Sequence, residues 1–316
     1  MRNANYISAI SRMRKEKNAI ILAHYYQTAD IQDIADFVGD SLALAQKAAY
    51  NKADIILFAG VKFMAETAKI ICPEKKILLP DIDAGCSLAD SCTADELKKF
   101  IAVNPGRTVV AYINSTTEIK AMADIICTSA NAVHVIESLP ENGKILFVPD
   151  RNLGSYIREK TGRDIVVWEG ACHVHENFSA EGILRLKKEN PEAEILVHPE
   201  CESAVRQLAD YIGSTAGMLE YTAGNKNKAY IVATEPGIIH QMKLRRADAK
   251  YLAAPRKDFP FAANDCNFMK TITIEKIYNC LKYEEPVIRL DPVLINSART
   301  AVERMLDISK IFAGSR

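Results

Sequence analysis

The chain has 316 residues, and its 40 lysines and arginines balance its 40 aspartates and glutamates. This length allows two or three domains, and the neutral charge gives no support to a nucleic-acid partner or an acidic membrane surface. No apolar stretch is long enough to span a bilayer, and residues 1–18 are too polar for a signal peptide, so we expect a cytoplasmic protein without a membrane partner. The eight cysteines would then lie in a reducing compartment, which favours metal or catalytic roles over disulfides.

The first part of the chain begins with a short apolar strand. The run at 20–23 ends at His24, and Tyr26 follows two positions later. The segment ADFVGDS (35–41) ends at Ser41, where a strand is expected to give way to a helix. The predicted strand ILLP (77–80) closes this part before Cys86.

The second part repeats this order and shows the clearest alternation of strands and helices. The strand TVVAYI (108–113) carries Tyr112, and Asn114 follows it. The segment ADIICTS (123–129) ends at Ser129, and Cys172 closes this part. Short β-branched runs and amphipathic segments between them predict a helix at 117–123, a strand at 124–127, a helix at 129–139, a strand at 144–150, a helix at 152–161 and a strand at 164–168.

The third part has the same polar positions after its first strand. The run at 194–197 leads to His198 and Glu200, and the segment ADYIGST (209–215) ends at Ser214 and Thr215. An insertion at 257–264 precedes Cys266. The tail is predicted to form a helix at 273–281, an extended piece at 286–290 and a helix at 295–309.

Residues 18–41, 106–129 and 192–215 align without a gap, at offsets of 88 and 86 residues. A period this long marks repeated supersecondary units. Strand–helix alternation in each unit predicts an α/β protein whose parallel sheets are covered on both faces. We therefore expect three homologous domains at 1–86, 87–172 and 173–266, with the segment 267–316 packing on the first.

The polar positions fall where parallel α/β units bind ligands, at the carboxyl ends of the strands. A pseudo-threefold arrangement of the units would collect them in one cavity. The hydroxyls of Ser41, Ser129, Ser214 and Thr215 suit either helix capping or the binding of carboxylates or phosphate. The chain has neither GxGxxG nor GxxxxGK[ST], so a nucleotide cofactor is not expected.

Cys86, Cys172 and Cys266 occupy equivalent places at the ends of the three units. Their spacing leaves three interpretations open, namely inert buried thiols, zinc ligands, and ligands of a [4Fe–4S] cluster that leave one iron free. Cys92 and Cys201 are weaker ligand candidates because neither occupies the repeated position.

The histidines also carry two interpretations. A histidine at the end of a strand is often only a residue with satisfied hydrogen bonds, and this applies to His24 and His198. Glu200 beside His198 suits general acid–base catalysis. His175 stands three residues after Cys172, a spacing that is a weak metal signal by itself.

Taken together, the motifs resemble the quinolinate synthase family, and the likeness runs from about Ile20 to about Ser309. The motifs that carry it are AHYYQ (23–27), VGDS (38–41), GCSLAD (85–90), YINST (112–116), CTSANA (127–132), PDRNLG (149–154), WEGACHVH (168–175), HPEC (198–201), GST (213–215) and ANDCNFM (263–269).

The resemblance implies three αβα three-layer domains in a pseudo-threefold arrangement around a central site. It also implies a non-redox [4Fe–4S] cluster held by Cys86, Cys172 and Cys266, whose open iron acts as a Lewis acid. The family reaction condenses iminoaspartate with dihydroxyacetone phosphate to give quinolinate, phosphate and water in NAD biosynthesis. The expected protein is thus a transferase that uses two small substrates and depends on an enzyme supplying iminoaspartate.

The resemblance also assigns residue roles. Glu200 is the expected acid–base residue, assisted by Tyr26 and His175. The expected substrate-binding residues are His24, Ser41, Tyr112, Asn114, Ser129, His198 and Thr215, with Ser214 beside the last of these.

One departure and three alternatives accompany this interpretation. Some family members carry further cysteines beside the third ligand, whereas here Cys266 is followed by Asn267-Phe268-Met269, so a local disulfide switch is not expected.

The alternatives are another cluster-dependent hydro-lyase, an iron–sulfur sensor that binds a dicarboxylate, and a structural zinc protein. A sensor usually needs an output surface such as a basic DNA-reading helix, and the sequence offers none.

Overall fold

The computed structural model describes residues 2–258 and 264–313. Within these ranges the chain forms twelve strands and seventeen helices, and the strands make three sheets of four parallel strands. The predicted α/β class with parallel sheets is confirmed. Residues 259–263 of the predicted insertion lie outside the described residues. No described helix is long and apolar enough to cross a bilayer.

The first sheet comes from the residues that precede Cys86. Its elements are α1 (Arg2–Glu16), β1 (Ala19–His24), α2 (Ala29–Ile34), β2 (Phe37–Gly39), α3 (Ser41–Tyr50), β3 (Ile55–Ala59), α4 (Lys62–Ile71) and β4 (Lys76–Leu78). The strand order across the sheet is β2-β1-β3-β4.

The second sheet lies between Cys86 and Cys172. Its elements are α5 (Ser87–Asp90), α6 (Ala94–Val103), β5 (Thr108–Tyr112), α7 (Thr117–Met122), β6 (Ile125–Cys127), α8 (Ala132–Glu137), β7 (Ile145–Val148), α9 (Arg151–Thr161) and β8 (Ile165–Val167). Its order, β6-β5-β7-β8, is the same as in the first sheet.

The third sheet repeats the arrangement, and a helical tail follows it. The elements are α10 (His173–Glu176), α11 (Ala180–Glu189), β9 (Glu194–Val197), α12 (Ser203–Arg206), β10 (Tyr211–Ile212), α13 (Thr215–Gly224), β11 (Ala229–Ala233), α14 (Ile238–Arg245), β12 (Lys250–Ala253), α15 (Asn267–Lys270), α16 (Ile274–Tyr283) and α17 (Pro292–Ala313). The strand order is β10-β9-β11-β12.

One aspartate in each unit makes the same contact, which supports the internal repeat in atomic detail. Asp36, Asp124 and Asp210 precede the second strand of each sheet, and each carboxylate accepts a hydrogen bond from the backbone N–H fifteen residues earlier, at 2.7–2.8 Å. The donors lie in β1, β5 and β9. Each aspartate therefore fixes the start of one central strand against its neighbour.

The alternation of side chains along the third sheet separates its two faces. Leu196, Tyr230 and Val232 pack into one apolar cluster, whereas Ile195 and Ile231 pack into another. Successive side chains of a strand point to opposite faces, so helices must cover both sides of this sheet. The first and second units instead share one continuous core.

Two predicted helices begin three residues away from the predicted position, and the predicted extended piece at 286–290 has a pairing partner. The helix predicted at 129–139 is shorter, because the Asn131 side chain accepts hydrogen bonds from the backbone and hydroxyl of Thr128 and holds a turn there. The helix predicted at 295–309 begins at Pro292, whose fixed φ suits the first helical position. The extended piece at 286–290 pairs with the edge of the first sheet, where Ile288 donates its N–H to the Ile77 carbonyl at 2.9 Å.

The tail contacts more than one unit. Helix α16 packs against α1 and β3 of the first unit, whereas α17 packs against α4 of the first unit and against α7 and β6 of the second. The division of the chain at 86, 172 and 266, with the tail assigned to the first domain, stays a prediction.

Candidate active site

A cavity partly open to solvent lies where the carboxyl ends of strands from all three sheets meet. Most of the residues selected from the sequence line this cavity. They are His24, Tyr26, Ser41, Cys86, Tyr112, Asn114, Ser129, Cys172, His175, His198, Glu200, Thr215 and Cys266. Ser214 is not among the lining residues of this cavity.

The serine and threonine residues at the starts of α3 and α13 have different roles in capping these helices. Ser41 is the first residue of α3, and Asp40 caps that helix by accepting the N–H of Ala43. Thr215 is the first residue of α13, and Ser214 caps it by accepting the N–H of Gly217 at 3.1 Å. The cap interpretation therefore applies to Ser214, while Ser41 and Thr215 keep their hydroxyls at the cavity.

His24 and His198 have the same local geometry in the first and third units. The Nδ1 atom of each ring accepts the backbone N–H two residues ahead, from Tyr26 at 3.2 Å and from Glu200 at 3.4 Å. Burial lowers the pKa of each histidine to about 3. Both rings are therefore neutral at pH 7, and each carries its proton on Nε2 as a hydrogen-bond donor.

Glu200 is buried at the centre of the lining residues. Burial opposes its ionisation, but its interactions with His175 and His198 and the hydrogen bonds from His175 and Tyr112 outweigh burial and lower the pKa of Glu200. Glu200 is thus an ionised carboxylate that water scarcely reaches, with 2% of its surface exposed. An ionised carboxylate inside the cavity can accept a proton from a bound molecule, but its lowered pKa makes it a weaker base than a free carboxylate.

A continuous row of hydrogen bonds joins Tyr26 to Glu200. The Tyr26 hydroxyl lies 2.6 Å from Thr234 Oγ1, which lies 2.9 Å from His175 Nε2. His175 Nδ1 lies 3.0 Å from Glu200 Oε2, and the Tyr112 hydroxyl donates to Glu200 Oε1. Tyr26 can donate to Thr234, Thr234 to His175 Nε2, and His175 Nδ1 to Glu200, so the row links the Tyr26 hydroxyl with the Glu200 carboxylate.

The three cysteines share a local structure that the sequence did not reveal. Each is the residue that precedes a helix of a single turn, namely α5 after Cys86, α10 after Cys172 and α15 after Cys266. Burial raises the pKa of all three thiols, to about 12 for Cys86. They would therefore stay protonated without a cation, whereas a soft metal ion ionises such thiols when it binds them.

The other cysteines lie away from these three. Cys92 is buried in the shared core, and the Cys201 thiol donates to the Ala233 carbonyl at 3.4 Å. Neither lines the cavity, and all eight cysteines are free thiols.

Sequence reasoning missed several polar residues around the cavity. Thr234 completes the row of hydrogen bonds described above, and Glu235 beside it is fully buried and paired with Lys270 at 2.7 Å. Burial raises the pKa of Glu235 to about 7. Lys270 also donates to the Tyr26 carbonyl at 2.6 Å, which ties the segment after Cys266 to the first unit.

Asp150 is a second missed carboxylate, and the strand register shows how it could have been found. Val148 at the end of β7 and Ala233 at the end of β11 occupy equivalent positions in the second and third sheets. Asp150 and Glu235 each stand two residues after these positions, so they are equivalent carboxylates of the two units. Asp150 caps α9 through Oδ1, and its Oδ2 is buried without a hydrogen-bond partner. Burial and the nearby Glu200 charge raise the pKa of Asp150 well above its usual range.

Three parallel α/β units whose polar side chains and thiols meet in one cavity define an enzyme that acts on small molecules. The sequence profile described as "Quinolinate synthetase A protein" matches residues 8–307. The quinolinate synthases of Nostoc sp. and Rippkaea orientalis are 53% and 52% identical over 302 residues, which cover 96% of this chain and 93% of each relative. That of Chloroherpeton thalassium is 50% identical over 301 residues, 95% of this chain and 94% of the relative. The chain belongs to the quinolinate synthetase A family.

Proposed function

We propose that this enzyme condenses iminoaspartate with dihydroxyacetone phosphate and releases quinolinate, phosphate and water. The observation that carries the proposal is the meeting of three thiols, one per unit, with the ionised Glu200 and neutral donors in one cavity. The chemistry needs donors for carboxylates, a base for proton removal and a Lewis acid, and these groups can supply them.

Neutral donors would bind the anionic substrates. No lysine or arginine is among the lining residues of this cavity, so its lining offers the Nε2–H groups of His24 and His198 and the hydroxyls of Ser41, Ser129 and Thr215. Asn114 belongs to the same set, and its buried Oδ1 has no hydrogen-bond partner within the protein. An unpaired buried amide oxygen is costly unless a ligand satisfies it, which supports a role for Asn114 in binding.

Glu200 would take the proton from the carbon that forms the new bond. Its burial keeps water from competing for that proton, and Tyr112 holds one of its oxygens in place. His175, Thr234 and Tyr26 would then exchange protons with Glu200 as imine formation and dehydration proceed. General acid–base catalysis of this kind contributes roughly 10²–10⁴ in rate.

Cys86, Cys172 and Cys266 would hold a [4Fe–4S] cluster. The donor set fits, because three thiols reach the cavity and no fourth cysteine is among its lining residues. Such a cluster supplies Lewis acidity at the iron that no cysteine binds.

One arrangement favours a different metal. Cys172 Sγ, His175 Nδ1 and a Glu200 oxygen lie within 4.8 Å of one another, a set that would suit a single zinc ion. That set leaves Cys86 and Cys266 without a role, so we favour the cluster.

The test is purification under strict exclusion of oxygen, followed by metal analysis and an assay with both substrates. We expect about four irons per chain, broad visible absorption and formation of quinolinate. Iron-free protein that contains one zinc would refute the cluster, and iron-loaded protein that makes no quinolinate would refute the reaction.

We propose in addition that the enzyme works in the cytoplasm beside the enzyme that supplies iminoaspartate, and the eight free thiols support a reducing compartment.

A further inference from the structure

Residues 32, 120 and 206 occupy the same place in the three repeats, although they are Gln32, Lys120 and Arg206. They lie in the short helices α2, α7 and α12 that follow the first strand of each unit. All three side chains are buried, with 3%, 0% and 5% of their surface exposed. Burial of a lysine and an arginine at equivalent positions is unusual and needs a reason.

Each of these side chains makes the same contact. Gln32 Nε2 donates to the Gln27 carbonyl at 2.8 Å, Arg206 Nη1 donates to the Cys201 carbonyl at 2.7 Å, and Lys120 Nζ donates to the Ser115 carbonyl. The separation along the chain is five residues in every case.

The accepting carbonyls stand directly after the residues that face the cavity. Gln27, Ser115 and Cys201 follow Tyr26, Asn114 and Glu200, respectively. In each unit the loop leaves the strand, presents the reactive residue and is then bound by the buried donor.

Further contacts keep the donors in place. Gln32 Nε2 also lies 2.9 Å from the Tyr25 carbonyl and 2.9 Å from the Gly237 carbonyl, so its two hydrogens are shared among three acceptors. Arg206 donates to the Asn152 carbonyl and pairs with Glu159, both at 3.3 Å, and Lys120 lies 5.5 Å from the centre of the Phe63 ring. Moving any of these buried donors would break its contacts and leave polar groups unpaired, so the contacts favour one fixed position.

We propose that Gln32, Lys120 and Arg206 are three equivalent positioning residues, each fixing the loop that carries the reactive residue of its own unit. Reactive groups must stay within about half an ångström of their working geometry, and loops alone do not provide this. The effect on kinetics rests on the proposed function, whereas the effect on the loops does not.

The first test measures amide hydrogen exchange by mass spectrometry on the metal-loaded protein. We expect Gln32→Met, Lys120→Met and Arg206→Met to raise exchange about tenfold in residues 24–28, 112–116 and 198–202, respectively. The other two loops should stay as in the unchanged protein. Equal increases in all three loops, or no increase in the variant's own loop, would overturn the proposal.

The second test uses kinetics and a conservative variant. Arg206→Met should lower kcat about tenfold with little change in KM, because Arg206 holds the loop of the proposed base. Arg206→Lys should recover most of the activity, since Lys120 makes the same contact in the second unit. Lys120→Met should act mainly on KM, because Asn114 is a proposed binding residue, and iron content should not change.

Glu159→Gln is the matched control, because it removes the exposed partner of Arg206 and leaves the contact with the Cys201 carbonyl intact. A loss of kcat in Glu159→Gln equal to that in Arg206→Met would contradict the proposal.

If Arg206→Met does not fold, Gln32→Met and Lys120→Met decide the loop test in the same way. If the unchanged enzyme makes no quinolinate, the proposed function fails while the exchange experiment still decides this inference.

Discussion

At the scale of single residues, Glu200 is a buried carboxylate whose surroundings lower its pKa. Glu200→Gln keeps the size of the side chain and removes the proposed base, so kcat should fall by roughly 10²–10⁴. KM and iron content should change little, because the glutamine still fills the same space. Steady-state kinetics and iron analysis of the variant check this prediction.

Glu202→Gln provides the control for Glu200→Gln. Glu202 lies two positions further on, is partly exposed and pairs with Lys257 at 2.7 Å. The same chemical change there should leave kcat within about twofold of the unchanged enzyme. Equal kcat values for Glu200→Gln and the unchanged enzyme would remove Glu200 from the role of base.

Thr234 carries a second prediction, because its hydroxyl is the link between Tyr26 and His175. Thr234→Val keeps the shape and removes the hydroxyl, so kcat should fall about tenfold, the equivalent of losing one hydrogen bond from the network. Thr234→Ser keeps the hydroxyl and should recover most of the activity. If valine and serine behave alike in the kinetic assay, the hydroxyl takes no part in proton exchange.

The sequence identified residues of the cavity where the three repeats carry similar chemistry at equal offsets, as with His24, Tyr112 and His198. It missed Thr234, because Gly60 and Pro149 stand at the equivalent strand ends and no polar pattern repeats there. It also missed Lys120 and Arg206, because the repeated feature is a buried donor rather than a residue type. These side chains are equivalent because each donates to a loop carbonyl in the folded structure. A comparison of residue types at equal offsets in the sequence does not show that contact.

At the scale of helices and strands, the predicted bounds were accurate where the apolar pattern extended over enough residues to show its period. The strand predicted at 108–113 is β5 and the helix predicted at 152–161 is α9, each within one residue at either end. The single-turn helices after the cysteines were not predicted, because four residues cannot show a 3.6-residue period. The start of α8 was wrong because a side-chain turn at Thr128 and Asn131 competes with the helix.

Glu284 links three elements and gives the prediction for this scale. It follows the end of α16 with φ of 55°, and its carboxylate pairs with Lys17 after α1, at 2.5 Å, and with Lys76 of β4. Hydrogen bonds from Lys17 and Lys76 lower the pKa of Glu284 to about 2. Because the folded value lies below the ordinary value of 4.5, the stability that this pair provides is present above about pH 4.5 and is lost as the pH falls towards 2.

Glu284→Gln should therefore lower the free energy of unfolding at pH 7 by about 1 kcal/mol, a modest value because the lysines are partly exposed. The difference between the variant and the unchanged protein should shrink as the pH falls below 4.5. Urea unfolding at pH 7 and pH 3 checks this. Glu285→Gln is a suitable control, since Glu285 pairs with the exposed Arg289 within its own segment. A difference that grows on acidification would contradict the assigned ion pairs.

At the scale of the whole molecule, the three units depend on one another. The first two units share a core, α17 packs on both, and each unit contributes one thiol to the cavity. A metal centre bound to all three thiols would therefore tie together parts of the chain that are 86 and 94 residues apart. A ligand that binds only the folded state stabilises it, so loss of the metal should lower the melting temperature of the entire chain.

The last prediction compares cysteines inside and outside the cavity. Cys86→Ser, Cys172→Ser and Cys266→Ser should each lose the iron of the proposed cluster and all synthase activity, because these three are the proposed ligands and no other cysteine lines the cavity. Cys92→Ala and Cys201→Ala should keep their iron, since these thiols are buried away from the cavity. Iron analysis under exclusion of oxygen, with circular dichroism to show that each variant folds, provides the measurement. Full iron content in any one of the three serine variants would show that the thiols of the three units do not act as one ligand set.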